Sequence, residues 1–372
     1  MTTLNINPSI LTWAIERAGV ELDTILSKFP NLQKWIEQQK SPTFKQLEDF
    51  SHRIHIPFGY FFLDTPPTIE LPFPFFRTDG SSQKYISLEI FDAVSILQQR
   101  QEWLKEYLLS MEVSPLPFVG KYQAKPVEDV VASIREALKL PEEWAMEFSS
   151  WEQALDGLTK KVENSGIIVT FNGVVGNNTH RKIKVEDCRG FVLIDEIVPF
   201  MFVNNADSKS AQMFTIAHEL AHIWIGSSAG FDFRQLLPAD DETEKFCDKV
   251  AAELLVPKKL FNKHWKNFDF KQLARHFKVS ELVIARRALD TGKIDKKEFF
   301  EFYNQYIQKE SALKSSGGGG DFYLTARKRV SLKFASYINM AIQSGDILHR
   351  DAYKLTGLHG GIFYKFLSDN FG

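Results

Sequence analysis

Apolar residues in the first 64 positions recur at helical spacing and are broken by turn residues. Ile10, Leu11, Ala14, Ile15 and Ala18 share one face up to Gly19, and Leu22, Ile25 and Leu26 begin a second helix that Pro30 stops. Short pieces follow around Trp35, Leu47 and Tyr60. Residues 65–74 carry four prolines, which excludes a helix, so an extended connector and a domain boundary are expected there. Residues 85–111, with Ile86, Ile90, Val94, Leu97, Trp103, Leu104 and Leu108, read as a long amphipathic helix, and 126–138 as another. A helix over 150–164 leads through Gly166 into the β-branched run IIVTF, the first of three strand-like stretches. The others are KIKVEDCRGFVLID (182–195) and VPFMFVN (198–204). Beyond Pro257 the pattern is helical again, and SSGGGG (315–320) reads as a flexible joint. The expected domains are residues 1–64, a connector and helical region over 65–148, a core over 149–310, and a small helical module over 321–372.

Composition narrows the class without naming it. With 372 residues, 44% of them hydrophobic, 25% charged and two cysteines, the chain is neither fibrous, disulfide-stapled nor disordered. No run of about 18 apolar residues spans a bilayer. The opening MTTLNINPSI lacks the basic and apolar regions of a secretion signal, so a cytoplasmic protein with no membrane partner is expected. Cys188 and Cys247 form no Cys-x-x-Cys pair and read as reduced thiols. A net charge of −2 removes global basicity as an argument for nucleic-acid binding. Locally, residues 321–372 hold seven Lys and Arg against four Asp and are mildly basic. Residues 1–64 hold six cations against seven acids, too few to neutralise phosphates well.

The stretch DSKSAQMFTIAHELAHIWIG (207–226) carries the chemistry. Asp207 or Ser208 can cap the start of a helix and Gly226 can end it. Between Lys209 and Gly226 the only ionisable side chains are His218, Glu219 and His222, in otherwise apolar or small surroundings. A helix apolar on all sides is buried, and burying a carboxylate and two imidazoles costs several kcal/mol, on the order of the usual penalty, unless something compensates. A metal ion does so. Residues i and i+4 lie one turn apart on the same face, so His218 and His222 can converge on one ion, and Glu219 beside them can reach a water. This His-Glu-x-x-His spacing is the zincin motif, in which the glutamate is the general base and not a ligand.

A catalytic zinc takes three protein ligands and keeps one position open. The segment DETEKFCDKVAAELLVP (241–257) reads as one helix ending at Pro257. At 100° per residue Glu244, Asp248, Ala251 and Leu255 share its buried face, while Glu242, Lys245, Lys249 and Glu253 fall on the solvated one. Glu244 is therefore the candidate third ligand. Asp248 is the candidate acceptor for a ring N–H of a liganding histidine. Cys247 shares the inner face and reads as a small core residue, with zinc ligation as the other reading. A zinc ion (Zn2+) held there lowers the pKa of water toward ~7 and polarises a carbonyl, with Glu219 accepting the proton, and peptide hydrolysis is the natural outcome. CRGFVLID (188–195) offers a sheet edge for a substrate strand, with Arg189 as a candidate anchor. His180, Arg189 and a tyrosine remain open as oxyanion stabilisers.

FTIAHELAH together with EKFCDKVAAELLVP, preceded by CRGFVLID and PFMFVNNAD, resembles the ImmA/IrrE family of metallopeptidases over about residues 150–300. The resemblance implies an α+β fold, mainly helical, with a zincin-like core flanked by helical modules. It also implies His218, His222 and Glu244 as zinc ligands and Glu219 as base. Cys247, Asp248 and Val250 stand where that family usually has Ala, Asn and Phe. Residues 1–64 resemble the Xre-type helix-turn-helix of the family's long form, which implies DNA as a possible partner, although the segment after Leu26 is short and broken by Pro30. Residues 273–289 and 351–367 have a weaker helix-turn-helix character. Two functions follow. The first is a zinc endopeptidase that cuts one regulatory protein, a repressor or the partner of a toxin system. The second is a non-catalytic transcriptional regulator or antitoxin-like binding protein with a structural or vestigial metal site. The open coordination position and Glu219 favour the first.

Overall fold

The computed structural model describes residues 3–68, 75–76, 86–226, 230–231, 242–265, 269–313 and 322–372. The chain divides into two compact units, residues 1–72 with 81–94, and residues 73–80 with 95–372.

The first unit contains α1 (Pro8–Ala18), α2 (Leu22–Lys28), α3 (Leu32–Ile36) and α4 (Phe44–Ile54), followed by a 3-10 turn at Phe58–Phe62. Local chemistry sets the boundaries. The Asn7 side chain accepts from the Ser9 N–H, Pro8 opens α1, and Gly19 closes it at φ 60°. Thr43 and Gln46 cap α4 reciprocally. The core gathers Ile10, Leu11, Ile25, Leu32, Leu47 and Phe50, with Trp35 set edge-on to Phe50. Arg17 is buried, donates to the Ile86 carbonyl and lies over the Phe91 ring.

The helix expected over 85–111 is α5 (Leu88–Ser110), which begins in the first unit and ends in the second. The second unit carries β1 (Phe75–Phe76), α6 (Val127–Leu138) and α7 (Trp151–Asn164). Then come β2 (Ile168–Phe171), β3 (Val174–Val175), β4 (Asn178–Lys182), β5 (Gly190–Leu193) and β6 (Phe200–Val203). After them run α8 (Lys209–Ile225), β7 (Gly230–Phe231) and α9 (Glu242–Leu255). The chain closes with α10 (Lys258–His264), α11 (Phe270–Phe277), α12 (Glu281–Asp290), α13 (Lys296–Leu313), α14 (Phe322–Val330), α15 (Leu332–Ser344), α16 (His349–Thr356) and α17 (Gly360–Phe371). The α+β class holds: helices dominate, around a two-stranded antiparallel sheet of β3 and β4 and a small five-stranded one. SSGGGG lies outside the described residues.

That sheet has the order β1-β7-β5-β6-β2, with β2 parallel to β6, β1 parallel to β7, and β5 antiparallel to both neighbours. β2, β5 and β6 are buried on both faces, which is why they read as continuous apolar runs rather than alternating ones. Alternation still sorts them. Val192, Met201 and Val203 join the core around α8. Phe200 faces the other way, edge-on to Phe334 of α15, and Phe334 in turn meets Trp103 of α5.

One expectation about this region is corrected. The run 182–195 is not one strand: β4 ends at Lys182 and β5 starts at Gly190. Between them the Cys188 N–H bonds back to the Lys184 carbonyl, and the buried Asn204 amide donates to the carbonyls of Ile183 and Cys188, holding the turn. Of the edge expected over 188–195, β7 takes up a part. Gly190 and Phe191 pair with Phe231 and Gly230 of β7, so hydrogen-bonding positions beside Arg189 are already filled.

Candidate metal centre

α8 is built to be interior. Ser208 caps it by accepting from the Ala211 N–H, the Gln212 side chain donates back to the carbonyls of Asn205 and Asp207, and every residue from Gln212 to Ile225 is buried. Its last-turn carbonyls need partners, and residues 116–122 supply them. The Gly120 and Tyr122 N–H groups donate to the carbonyls of Ile223 and Trp224, and Phe118 stacks on Trp224 at 4.1 Å. Gly226 ends the helix at φ 74°, where an added Cβ would meet the Gly120 Cα at 2.9 Å. α9 lies against α8, and Arg135 of α6 pins its far end by donating to the Leu254 carbonyl at 2.6 Å.

This packing brings together side chains up to 30 positions apart. His218 Nε2 lies 3.0 Å from Glu244 Oε2 and 3.0 Å from His222 Nε2, and His222 Nε2 lies 3.4 Å from Glu244 Oε1. His218 Nδ1 is 3.1 Å from Asp248 Oδ1. Asp248, with its side chain 26% exposed, accepts the Nδ1–H of His218, which leaves Nε2 of a neutral ring as a lone pair. That lone pair faces a carboxylate oxygen and a second ring nitrogen. Electron-rich atoms that converge so closely require a shared proton or a cation between them, so this donor set fits a metal ion. Cys247, wholly buried, is part of the gathering: its Sγ and ring nitrogens of His218 and His222 all lie within 4.8 Å of one another. Two imidazoles with a carboxylate or a thiol suit zinc.

Glu219 stands apart in its bonding. It is 0% exposed, and neither carboxylate oxygen has a hydrogen-bond partner. Burial, with the nearby charge of Glu244, pushes its carboxyl up to about 8 against the pull of His218. Where a shared proton takes the place of the cation, the balance at Glu244 is reversed: burial is outweighed by hydrogen bonds from His218 and His222, and its carboxyl is held down at about 2. In that same proton-held state burial of His218 is outweighed by the hydrogen bonds to Asp248 and Glu244, and the ring is raised to about 10; a cation in the proton's place leaves the ring neutral.

Sequence reasoning missed Gly190. A Cβ there would lie 2.3 Å from Thr215 Cγ2, 2.9 Å from the Phe202 carbonyl and 3.4 Å from Glu219 Oε1, so only glycine lets β5 lie this close to α8 and Glu219. A lone glycine in an apolar strand was the available signal. A cavity of about 340 Å³, lined by Gln123, Ile225, Thr243 and Phe246 among others, opens where α8 ends and α9 begins. Arg189 is placed in an ion pair with Asp207 at 3.1 Å, and His180 is exposed on β4.

Comparison with known proteins agrees with this geometry. A peptidase-family model described as the IrrE N-terminal-like domain matches residues 163–289, which run from the end of α7 through α12 and contain His218, Glu219, His222, Glu244 and Asp248. The match points to a peptidase of a metal-dependent kind. A second model, described as a domain of unknown function, matches residues 330–368. No curated protein matches the chain. Among the described residues no helix is long and apolar enough to cross a membrane.

Proposed function

We propose that this chain is a zinc-dependent endopeptidase that cleaves a specific regulatory protein, with His218, His222 and Glu244 as the zinc ligands and Glu219 as the general base. The observation that carries this reading is a wholly buried, unbonded Glu219 beside three electron-rich donors that converge on one point. The peptidase-family match over the same residues supports it.

Zinc, when bound, supplies a Lewis acid that acidifies water and polarises a carbonyl. Asp248 fixes the tautomer of His218 by holding its Nδ1–H, so that Nε2 keeps its lone pair. Glu219 accepts a proton from the attacking water at a carboxylate oxygen and delivers it to the departing amine nitrogen. A buried carboxylate without hydrogen bonds is suited to that transfer, because burial favours its protonated form and nothing else competes for the proton it takes. Arg189, engaged with Asp207, is not needed in these steps.

Glu219→Gln in the full chain should retain stoichiometric zinc by elemental analysis and lose cleavage by about 10²-fold or more. Glu244→Ala should lose the metal itself. The zinc-loaded Glu219→Gln protein, used as bait in cell extract, should retain a protein that the unaltered enzyme cuts. Cleavage unchanged in Glu219→Gln, or no stoichiometric metal in the unaltered protein, overturns the proposal.

A further inference from the structure

The donors at this centre outnumber those that an open hydrolytic site requires. Cys247 lies three residues after Glu244 on α9, on the face that meets α8, and is wholly buried. Its sulfur forms with the ring nitrogens of His218 and His222 a group whose ligand atoms are within 4.8 Å of one another. A second observation points to a ligand at the same place. Glu219, also wholly buried, brings two unbonded carboxylate oxygens into the electrostatic reach of His218 and Glu244. A buried carboxylate without a hydrogen-bond partner calls for a ligand or a catalytic role to account for it.

We propose that Cys247 is a fourth protein donor to the zinc ion, so that the resting centre is closed by a thiolate, and the sulfur must withdraw before water can be activated. The inference rests on the zinc reading given above. Ligation forms one sulfur–metal bond while the thiol proton passes to solvent, and no electrons change hands. Four protein donors, two imidazoles, a carboxylate and a thiolate, fill the tetrahedral shell of zinc and leave no position for water. Exchange between that shell and one with an open position would make this centre self-restraining. The other thiol, Cys188, lies by the Gly190 carbonyl at 3.7 Å and serves as an internal control.

The test is cobalt(II) substitution of the reduced, metal-stripped full chain. Cobalt should give visible d–d bands together with a thiolate-to-cobalt charge-transfer band in the near ultraviolet. That band should survive Cys188→Ala and vanish in Cys247→Ala and Cys247→Ser while the visible bands persist. Cadmium NMR of the unaltered protein needs no substitution and should show the downfield resonance of a sulfur-ligated ion. Visible bands without the charge-transfer band, and cadmium in the nitrogen and oxygen range, overturn the thiolate closure and leave the zinc reading standing. No uptake of cobalt or cadmium by elemental analysis overturns both.

Discussion

Asp248 shows how much one side chain outside the ligand set contributes. It is the acceptor for His218 Nδ1–H, so removing it frees the ring to turn and to change tautomer. Partners of this kind typically contribute 10–100-fold in metal affinity, about the range expected here. Asp248→Ala should therefore weaken zinc binding by about that factor in a chelator competition, with the fold unchanged by circular dichroism. At this scale much was legible in the sequence. His218, Glu219 and His222 stand within five positions of one apolar helix, and helical periodicity alone turns Glu244 inward. Glu253 shows where periodicity fails. It falls on the outward face of α9, yet it pairs with the buried Arg287 of α12, a partner 34 positions away that no helical wheel contains. Gly190 was missed for a related reason, since its role is to leave space for Thr215 and Glu219 on another element.

The turn between β5 and β6 sets the register that places Gly190 against α8. Asp195 organises it: Oδ1 accepts from the N–H groups of Ile197 and Val198 at 2.9 and 3.1 Å, and Oδ2 pairs with Lys105 of α5 at 2.6 Å. Burial works against the charge on Asp195, but the Lys105 and backbone hydrogen bonds outweigh it, and the carboxyl is held below its usual value. A carboxyl with a depressed folded pKa contributes stability above its unfolded pKa and loses it as pH falls through the folded one. Asp195→Ala should cost about 1–2 kcal/mol in urea unfolding at neutral pH. The difference from the unaltered protein should shrink as the medium is acidified below about pH 4. Strands β2 and β6 were visible as β-branched and aromatic runs. The pairing of β5 with β7 was not, because two residues far along the chain carry no period of their own, and strand neighbours are fixed by tertiary packing.

For the molecule as a whole, the centre joins two helices that lie at the heart of the larger unit, so occupancy by metal and stability are linked. Zinc at a hundred times its dissociation constant would add about 2.7 kcal/mol to a fold that binds it only when native. Stripping the ion with a chelator should lower the melting temperature by differential scanning calorimetry, and adding zinc back should restore it. Glu244→Ala should be blind to both treatments. The family match stops at residue 289 and the second begins at 330, so the first unit is covered by neither. The total burial of α8 from Gln212 to Ile225 has a wider consequence for how such a chain evolves. A substitution along that rod costs stability whether or not it touches the chemistry, so a change of specificity is more cheaply made on its surroundings.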